Sequence, residues 1–224
     1  MNADRTSQRL PAQGDLDRLA AAAQGAIAAA RWAEAEAALR SLIEALPAPQ
    51  ASLLYNLGLV VKRQGRLAEA LGAFDAALAA DPGHAKAVFE RAATLMDLED
   101  HAAAYAGFGA YLEAAPEDPD ALLNAARLAL RLGQVAAAAA HAEALERQQP
   151  EDPSVVLLLA EVAAERGDQV AARRRFAEVL RAGPPELRAA ALAAMTQRPR
   201  GRVPLAVDRL LKVEDSGAGD QSTR

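Results

Sequence analysis

Apolar residues recur along this chain at spacings of three and four residues, which is the period of one face of an α-helix. Residues 51–84 contain two such sets. The first set is Leu54, Leu57, Gly58 and Val61, and the second is Ala70, Phe74 and Ala77. Gly65 lies between the two sets, where a tight turn needs a positive φ. The pattern predicts a helix, a short turn and a second helix.

This helix pair recurs with a period of 34 residues. Proline marks the links at Pro82, Pro116, Pro150 and Pro184, and Pro47 comes 35 residues before the first of these. Alanine recurs twelve residues before each proline. Four residues further along the second helix comes an apolar column, aromatic in three copies: Leu39, Phe74, Phe108, Ala142 and Phe176. A fixed period of this length is typical of a helical solenoid.

These columns resemble the tetratricopeptide repeat, which has a small residue in its first helix, a turn glycine, then alanine, an aromatic residue and proline. The best match is residues 51–84. The resemblance implies an all-α, right-handed solenoid of about five helix-turn-helix repeats with a C-terminal capping helix. The expected repeats cover residues 16–49, 51–84, 85–118, 119–152 and 153–186, and the capping helix covers 187–197.

Several positions depart from the family pattern. Ala30 and Glu99 stand where a turn glycine is expected, and a left-handed conformation there would cost each of them about 1 kcal/mol. Ala142 replaces the aromatic residue of the fourth repeat, so we expect that repeat to be thinly packed. Trp32, the single tryptophan, opens a second helix, whereas the family places tryptophan early in the first.

The repeats are expected to form one domain, residues 15–197, between two less regular ends. Residues 1–14 are polar and predict a disordered N-terminus. Residues 198–224 predict a flexible tail that contains a short amphipathic segment, residues 203–213, with Leu205, Leu210 and Leu211.

Composition argues against most other kinds of protein. Apolar residues make up 52% of the chain and aromatic residues 4%, with alanine the most frequent residue, which favours helices over strands. Because cysteine is absent, disulfides, thiolate metal sites and thiol nucleophiles are excluded. Residues 1–14 are polar and no apolar run approaches the roughly 20 residues that span a bilayer, so we expect no secretory signal and a soluble cytoplasmic protein.

Candidate chemistry is sparse, and we expect neither an enzyme nor a bound cofactor. The three histidines are scattered, and no glycine-rich phosphate loop or catalytic motif occurs. Acidic residues and one histidine come together at Asp97, Glu99, Asp100 and His101. Acids between two helices more often cap the second helix than bind metal, so no metal site is predicted.

The resemblance implies instead that the first helices line a concave groove for a partner peptide. Mapped on this chain, the groove residues are Tyr55, Leu59, Lys62, Lys86, Phe89, Met96, Leu123, Asn124, Arg127, Leu130, Arg131 and Leu157. This apolar strip edged with cations suits an extended or helical segment that carries an acidic group. Tyr55 and Phe89 are the expected anchors, and their removal is expected to leave the melting temperature nearly unchanged.

The sequence leaves several functions open. We favour a non-catalytic scaffold or adaptor for protein–protein interaction. The main alternative is an accessory subunit of an enzyme or of a secretion or assembly complex. A carboxylate clamp for chaperone tails is disfavoured, because Glu90 would repel the ligand. The net charge is −5, yet residues 173–212 carry an excess of arginine, so nucleic-acid binding remains a third, weaker alternative.

Overall fold

The structure is a computed structural model that describes residues 13–48 and 50–196. This part of the chain contains eleven α-helices and no strand. The predicted tail with its segment 203–213, and residues 1–12 of the predicted N-terminal segment, lie outside the described residues. Gln13 and Gly14, expected in that irregular segment, instead form the start of the first helix. The Gln13 side-chain amide donates a hydrogen bond to Asp17, and the Arg18 guanidinium donates one to the backbone carbonyl of Gly14.

Helices alternate between the first and second positions of each repeat. The first helices are α1 (Gln13–Ala28), α3 (Ala51–Arg63), α5 (Ala85–Asp97), α7 (Pro119–Arg131) and α9 (Pro153–Glu165). The second helices are α2 (Trp32–Ala45), α4 (Leu67–Ala80), α6 (His101–Ala114), α8 (Val135–Gln148) and α10 (Gln169–Ala182). The last helix, α11 (Pro185–Thr196), begins two residues before the expected capping helix, since proline is well tolerated in the first turn.

Aspartate side chains start four of the helices. Asp118 and Asp152 accept backbone N–H groups at the start of α7 and α9, and a proline follows each of them in the first helical turn. Asp100 and Asp168 cap α6 and α10 in the same way. Each cap satisfies amides that the helix itself cannot bond, so the polar residues of the links fix where the helices begin.

The turns between paired helices use the left-handed region of the backbone. Gly65, Gly133 and Gly167 have φ values of 77°, 72° and 82°, as their place in the sequence pattern predicts. Ala30 and Glu99 take the same conformation, with φ values of 54° and 63°. The turn geometry is therefore kept in both repeats that lack the glycine.

The chain forms two compact units, residues 13–132 and 133–196 within the described part. In the first unit, α1 to α6 pair in sequence order and α7 packs on α6. Its core includes Phe74 and Phe108, both fully buried. Small residues allow close packing: a Cβ on Gly58 would lie 2.5 Å from the Phe74 ring, and one on Gly107 would lie 2.9 Å from the Ala92 Cβ.

In the second unit, α9 packs against α8, α10 and α11. Its core is aliphatic around one aromatic ring, the fully buried Phe176 of α10. Ala191 and Met195 of α11 are buried in the same cluster. The helix that follows the last repeat thus covers apolar surface of α9 and α10, which is the role of a terminal element in a solenoid.

Candidate functional site

The first helices of the unit 13–132 carry most of the expected groove residues. On α3, Tyr55, Leu59 and Lys62 are half-buried. The Tyr55 ring centroid lies 5.1 Å from that of His84 and 6.1 Å from that of Phe74. Burial, with a further contribution from the nearby Glu90 carboxylate, raises the pKa of the Tyr55 phenol. The phenol therefore stays protonated and can donate a hydrogen bond.

On α5, Phe89 repeats the arrangement of Tyr55. Its ring packs edge-on against Phe108 at 5.3 Å and Tyr111 at 5.2 Å, while part of the side chain stays accessible. Met96 is half-buried and Lys86 is exposed on the same helix. Two successive first helices thus each present an aromatic side chain that its neighbours hold in place.

This packing argues against the expectation that removal of Tyr55 or Phe89 leaves the melting temperature nearly unchanged. Both rings contact fully buried phenylalanines, and both lie against the core of their unit. Because truncation would remove those contacts as well, either alanine variant should lower stability by about 1 to 3 kcal/mol. A binding experiment on this face is better based on exposed groups.

Lys62 is not a free cation. Its ammonium lies 3.2 Å from Glu90 Oε2 and 3.3 Å from Asp97 Oδ2, so one lysine of α3 joins two acids of α5. The lysine side chain is 21% exposed, against 43% for Asp97. The sequence pattern predicts Lys62 on this face but not its two acidic partners. The repeat period could have found them, since Glu90 and Asp97 lie about one repeat further along the chain.

On α7, Leu123, Asn124 and Leu130 are half-buried, and Arg127 and Arg131 are exposed. The Arg131 guanidinium is 3.4 Å from Nε2 of His101. Within the part of the chain that the structure describes, Arg127 and Lys86 have no ion-pair partner. Among the predicted groove residues, these two side chains are therefore the cations with the most freedom to pair with a ligand.

Leu157 does not belong with the other groove residues. It lies in the second unit and is 5% exposed, within the cluster around Phe176. Helix α9 is apolar on nearly all sides, so its periodicity does not reveal which leucine faces outward. A side chain buried to this extent has no surface to offer a ligand, and Leu157 is a core residue.

The described residues show little that could support metal chemistry or membrane insertion. Among residues 13–48 and 50–196, no three His, Asp or Glu side chains are grouped as metal ligands would be. In the same ranges no helix is long and apolar enough to cross a bilayer. The side chains that come together on α3, α5 and α7 are apolar, aromatic and charged groups, which suits recognition by packing and ion pairing.

Comparison with known proteins agrees with this architecture. The tetratricopeptide repeat family matches at residues 20–85, 55–121, 89–153 and 123–186, which together cover most of the chain. No curated protein sequence matches the chain.

Several solved structures share the fold. A tetratricopeptide repeat protein from Parabacteroides merdae ATCC 43184 is 23% identical, with a TM-score of 0.74 over 81% of this chain and 74% of that one. YrrB, described as having an unusual peptide-binding site, is 18% identical, with a TM-score of 0.70 over 84% and 93%. PilW, a type IV pilus biogenesis factor, is 22% identical, with a TM-score of 0.64 over 80% and 84%. With these matches and its helix pairs, the chain belongs to the tetratricopeptide repeat family and has the expected fold class, an all-α solenoid of about five repeats.

Proposed function

We propose that this protein is a non-catalytic scaffold that binds a segment of a partner protein on the first helices of the unit 13–132. The observation that carries the proposal is the pair of partly exposed rings, Tyr55 on α3 and Phe89 on α5, each held by a buried phenylalanine. Aromatic groups that are already fixed lose little entropy on binding, and such groups dominate the binding energy of many interfaces. The similarity in fold to YrrB supports a peptide as the ligand.

The partner segment should carry an acidic group beside an apolar one. Lys86 and Arg127 are exposed and have no ion-pair partner in the described residues, whereas Lys62 is already neutralised by Glu90 and Asp97. An acid on the partner would gain more from Lys86 and Arg127 than from a lysine that is already paired. We therefore assign anchoring to the aromatic side chains and charge recognition to Lys86 and Arg127. A cytoplasmic location for this interaction stays a prediction.

The alternative is that the scaffold works as a fixed subunit of an assembly complex or an enzyme. The likeness to PilW, which is described as a pilus biogenesis factor, favours the assembly complex over the enzyme. The two functions differ in what binds the chain. A scaffold for peptides keeps its partner when that partner is reduced to a short segment, whereas a subunit needs a folded neighbour.

The test is affinity purification from the native organism with mass spectrometry, using three forms of the chain as bait. The first is wild type, and the second carries Lys86→Glu and Arg127→Glu. The third carries Arg173→Glu and Arg174→Glu, which makes the same change in charge on exposed residues of α10. The main wild-type partner should bind the second form at least about tenfold more weakly and the third normally.

The reverse result, with binding lost only in the α10 variant, would place the partner on the second helices and overturn the proposal. Circular dichroism of each variant is the control for folding. A synthetic peptide scan of the recovered partner then separates the two functions. Binding by one short acidic segment supports the scaffold, and binding by the folded partner alone supports the subunit.

A further inference from the structure

Three exposed arginines of α10 have no ion-pair partner in the part of the chain that the structure describes. They are Arg173, Arg174 and Arg181. Arg175, in contrast, donates to a glutamate of α8 at 2.9 Å. Glu178, the one acid in the sequence of α10, is exposed and pairs with none of the three. The exposed side of this helix therefore carries an excess of unpaired positive charge.

Two of these arginines lie on one line along the helix with an exposed valine. Val170 comes four residues before Arg174, and Arg181 comes seven residues after it, which is about one turn and about two turns of an α-helix. The two arginines are therefore about 10.5 Å apart along the helix axis. Val170 is 82% exposed. Ala177 lies between the arginines, so no long side chain there keeps another helix at a distance.

The same line on the three preceding second helices is built mostly from small side chains. The positions equivalent to Val170 are Ala68, Ala102 and Ala136, and those equivalent to Arg174 are Gly72, Ala106 and Ala140. Arg181 has one basic counterpart, Arg147 of α8, and its other counterparts are Ala79 and Glu113. All of these residues are exposed. Since α4, α6 and α8 face water without this set of side chains, solubility does not account for the set on α10.

The charge of the whole unit limits what this side of α10 can bind. Guanidinium groups select carboxylates and phosphates. The unit 133–196 carries nine acidic and seven basic residues, so a nucleic acid or an anionic bilayer would meet excess negative charge beyond α10. A single helix lying along α10 would meet mainly the arginines. Phe176, the one Phe, Tyr or Trp in this unit, is fully buried, so nucleic-acid bases would also have no ring to stack on.

We propose that this side of α10 binds an α-helical segment of a partner protein that carries two carboxylates seven residues apart. Two such carboxylates lie on one side of their helix with the same spacing of about 10.5 Å, so each of them pairs with one arginine. An apolar side chain one turn before the first carboxylate would cover Val170. Arg173, next to Arg174 in the sequence, would add a charge contact at the edge.

This second partner differs from the main partner, which the first helices of the unit 13–132 bind, so the two proposals are tested separately. The test measures binding of a fluorescent helical peptide by fluorescence anisotropy at low ionic strength. The full chain carries Lys86→Glu and Arg127→Glu in every measurement, so that the groove proposed above does not take up an acidic probe.

Two probes of the same composition separate the spacing of the carboxylates from their charge. The first probe is an alanine-rich helix with glutamates seven residues apart and a leucine one turn before the first glutamate. The second probe has its glutamates five residues apart, which places them on different sides of the helix. The first probe should bind at least about fivefold more tightly than the second.

Arg174→Gln with Arg181→Gln should weaken binding of the first probe by about tenfold. Arg147→Gln with Arg188→Gln is the matched control, because it removes the same charge from two other exposed arginines of the unit 133–196, and it should change binding by less than about twofold. Circular dichroism of each variant is the control for folding.

Equal binding of the two probes, no binding of either probe at about 1 mM, or equal losses in the two glutamine variants would each overturn the proposal. An RNA oligonucleotide and phosphatidylglycerol vesicles are measured in parallel. Tighter binding of either one, lost with Arg174→Gln and Arg181→Gln, would assign this side of α10 to phosphate and would overturn the proposal as well.

Discussion

The Phe74 ring lies so close to Gly58 that the α3 backbone has no room for one more carbon atom at that point. Phe74→Ala should lower the free energy of unfolding by about 3 to 5 kcal/mol, because a fully buried ring is lost. Gly58→Ala should cost about 1 to 3 kcal/mol, since the new methyl group overlaps the ring.

The two effects share one contact, so they should not add. In a double-mutant cycle followed by urea unfolding, Gly58→Ala should cost almost nothing once Phe74 has become alanine. The same penalty in both backgrounds would mean that the methyl group clashes with something other than the ring.

Glu99 has a positive φ of 63° in the turn between α5 and α6, where three other repeats have glycine. Glu99→Gly should raise the free energy of unfolding by about 1 kcal/mol, because glycine adopts this conformation without a Cβ clash. Glu99→Ala removes the same carboxylate but keeps the Cβ, so it should change stability by only a few tenths of a kcal/mol. Chemical denaturation of all three forms distinguishes backbone strain from charge. Equal gains in both variants would assign the effect to the carboxylate.

At the scale of the helices, Glu36 of α2 connects its own helix to the following repeat. Its carboxylate accepts hydrogen bonds from Gln64 at 2.9 Å, from Arg40 at 2.9 Å and from Arg66 at the start of α4. Burial alone would raise the pKa of Glu36, but these hydrogen bonds outweigh it and hold the pKa below 4.5. The ionised carboxylate thus helps to join the α1–α2 pair to the α3–α4 pair.

The sign of the pH dependence follows from this lowered pKa. The unfolded chain takes up the Glu36 proton at a higher pH than the folded chain does, so the stabilisation is present above about pH 4.5 and is lost as the pH falls through the folded value. Glu36→Gln should cost about 1 kcal/mol at pH 7, since both arginines are partly exposed. The difference from wild type should shrink in more acidic solution.

Denaturation at several pH values measures this difference. Glu34→Gln, at an exposed acid that pairs with the neighbouring Arg31, is the matched control and should change stability little at any pH. A Glu36→Gln penalty that stays constant from pH 7 to well below 4.5 would show that the charge of Glu36 is not responsible.

At the scale of the whole molecule, the repeats should differ in local stability. Phe74 of α4 and Ala142 of α8 hold the same position in their repeats, and both are fully buried. The alanine buries much less apolar area, and the stability of a solenoid is roughly a sum over its repeats and their interfaces. The amides of α8 should therefore exchange with solvent about tenfold faster than those of α4. Hydrogen exchange resolved by mass spectrometry tests this, and equal or slower exchange in α8 would contradict it.

The fold could be derived from sequence because its signals are local and repeated. The same helix pair is predicted several times over by the proline links, by the turn glycines and by the buried column of Phe74, Phe108 and Phe176. The groove residues are harder to predict from sequence than the fold. The apolar pattern of α9 does not distinguish its buried residues from its outward ones, so it predicts Leu157 as a groove residue although this side chain lies in the core. The Lys62 ion pairs depend on side-chain conformations between repeats, which the pattern does not contain.

The close contacts between paired helices also constrain how the gene can gain or lose repeats by recombination. In the repeat 51–84, Gly58 of the first helix leaves room for the Phe74 ring of the second. In the repeat 85–118, Gly107 of the second helix leaves room for Ala92 of the first. Each small residue is therefore matched to the helix that it packs against. A recombination event with breakpoints in the proline links, such as residues 81–84, transfers matched pairs intact. A breakpoint in the turn at Gly65 joins α3 to a foreign second helix, so the reading frame is kept but Gly58 no longer faces Phe74.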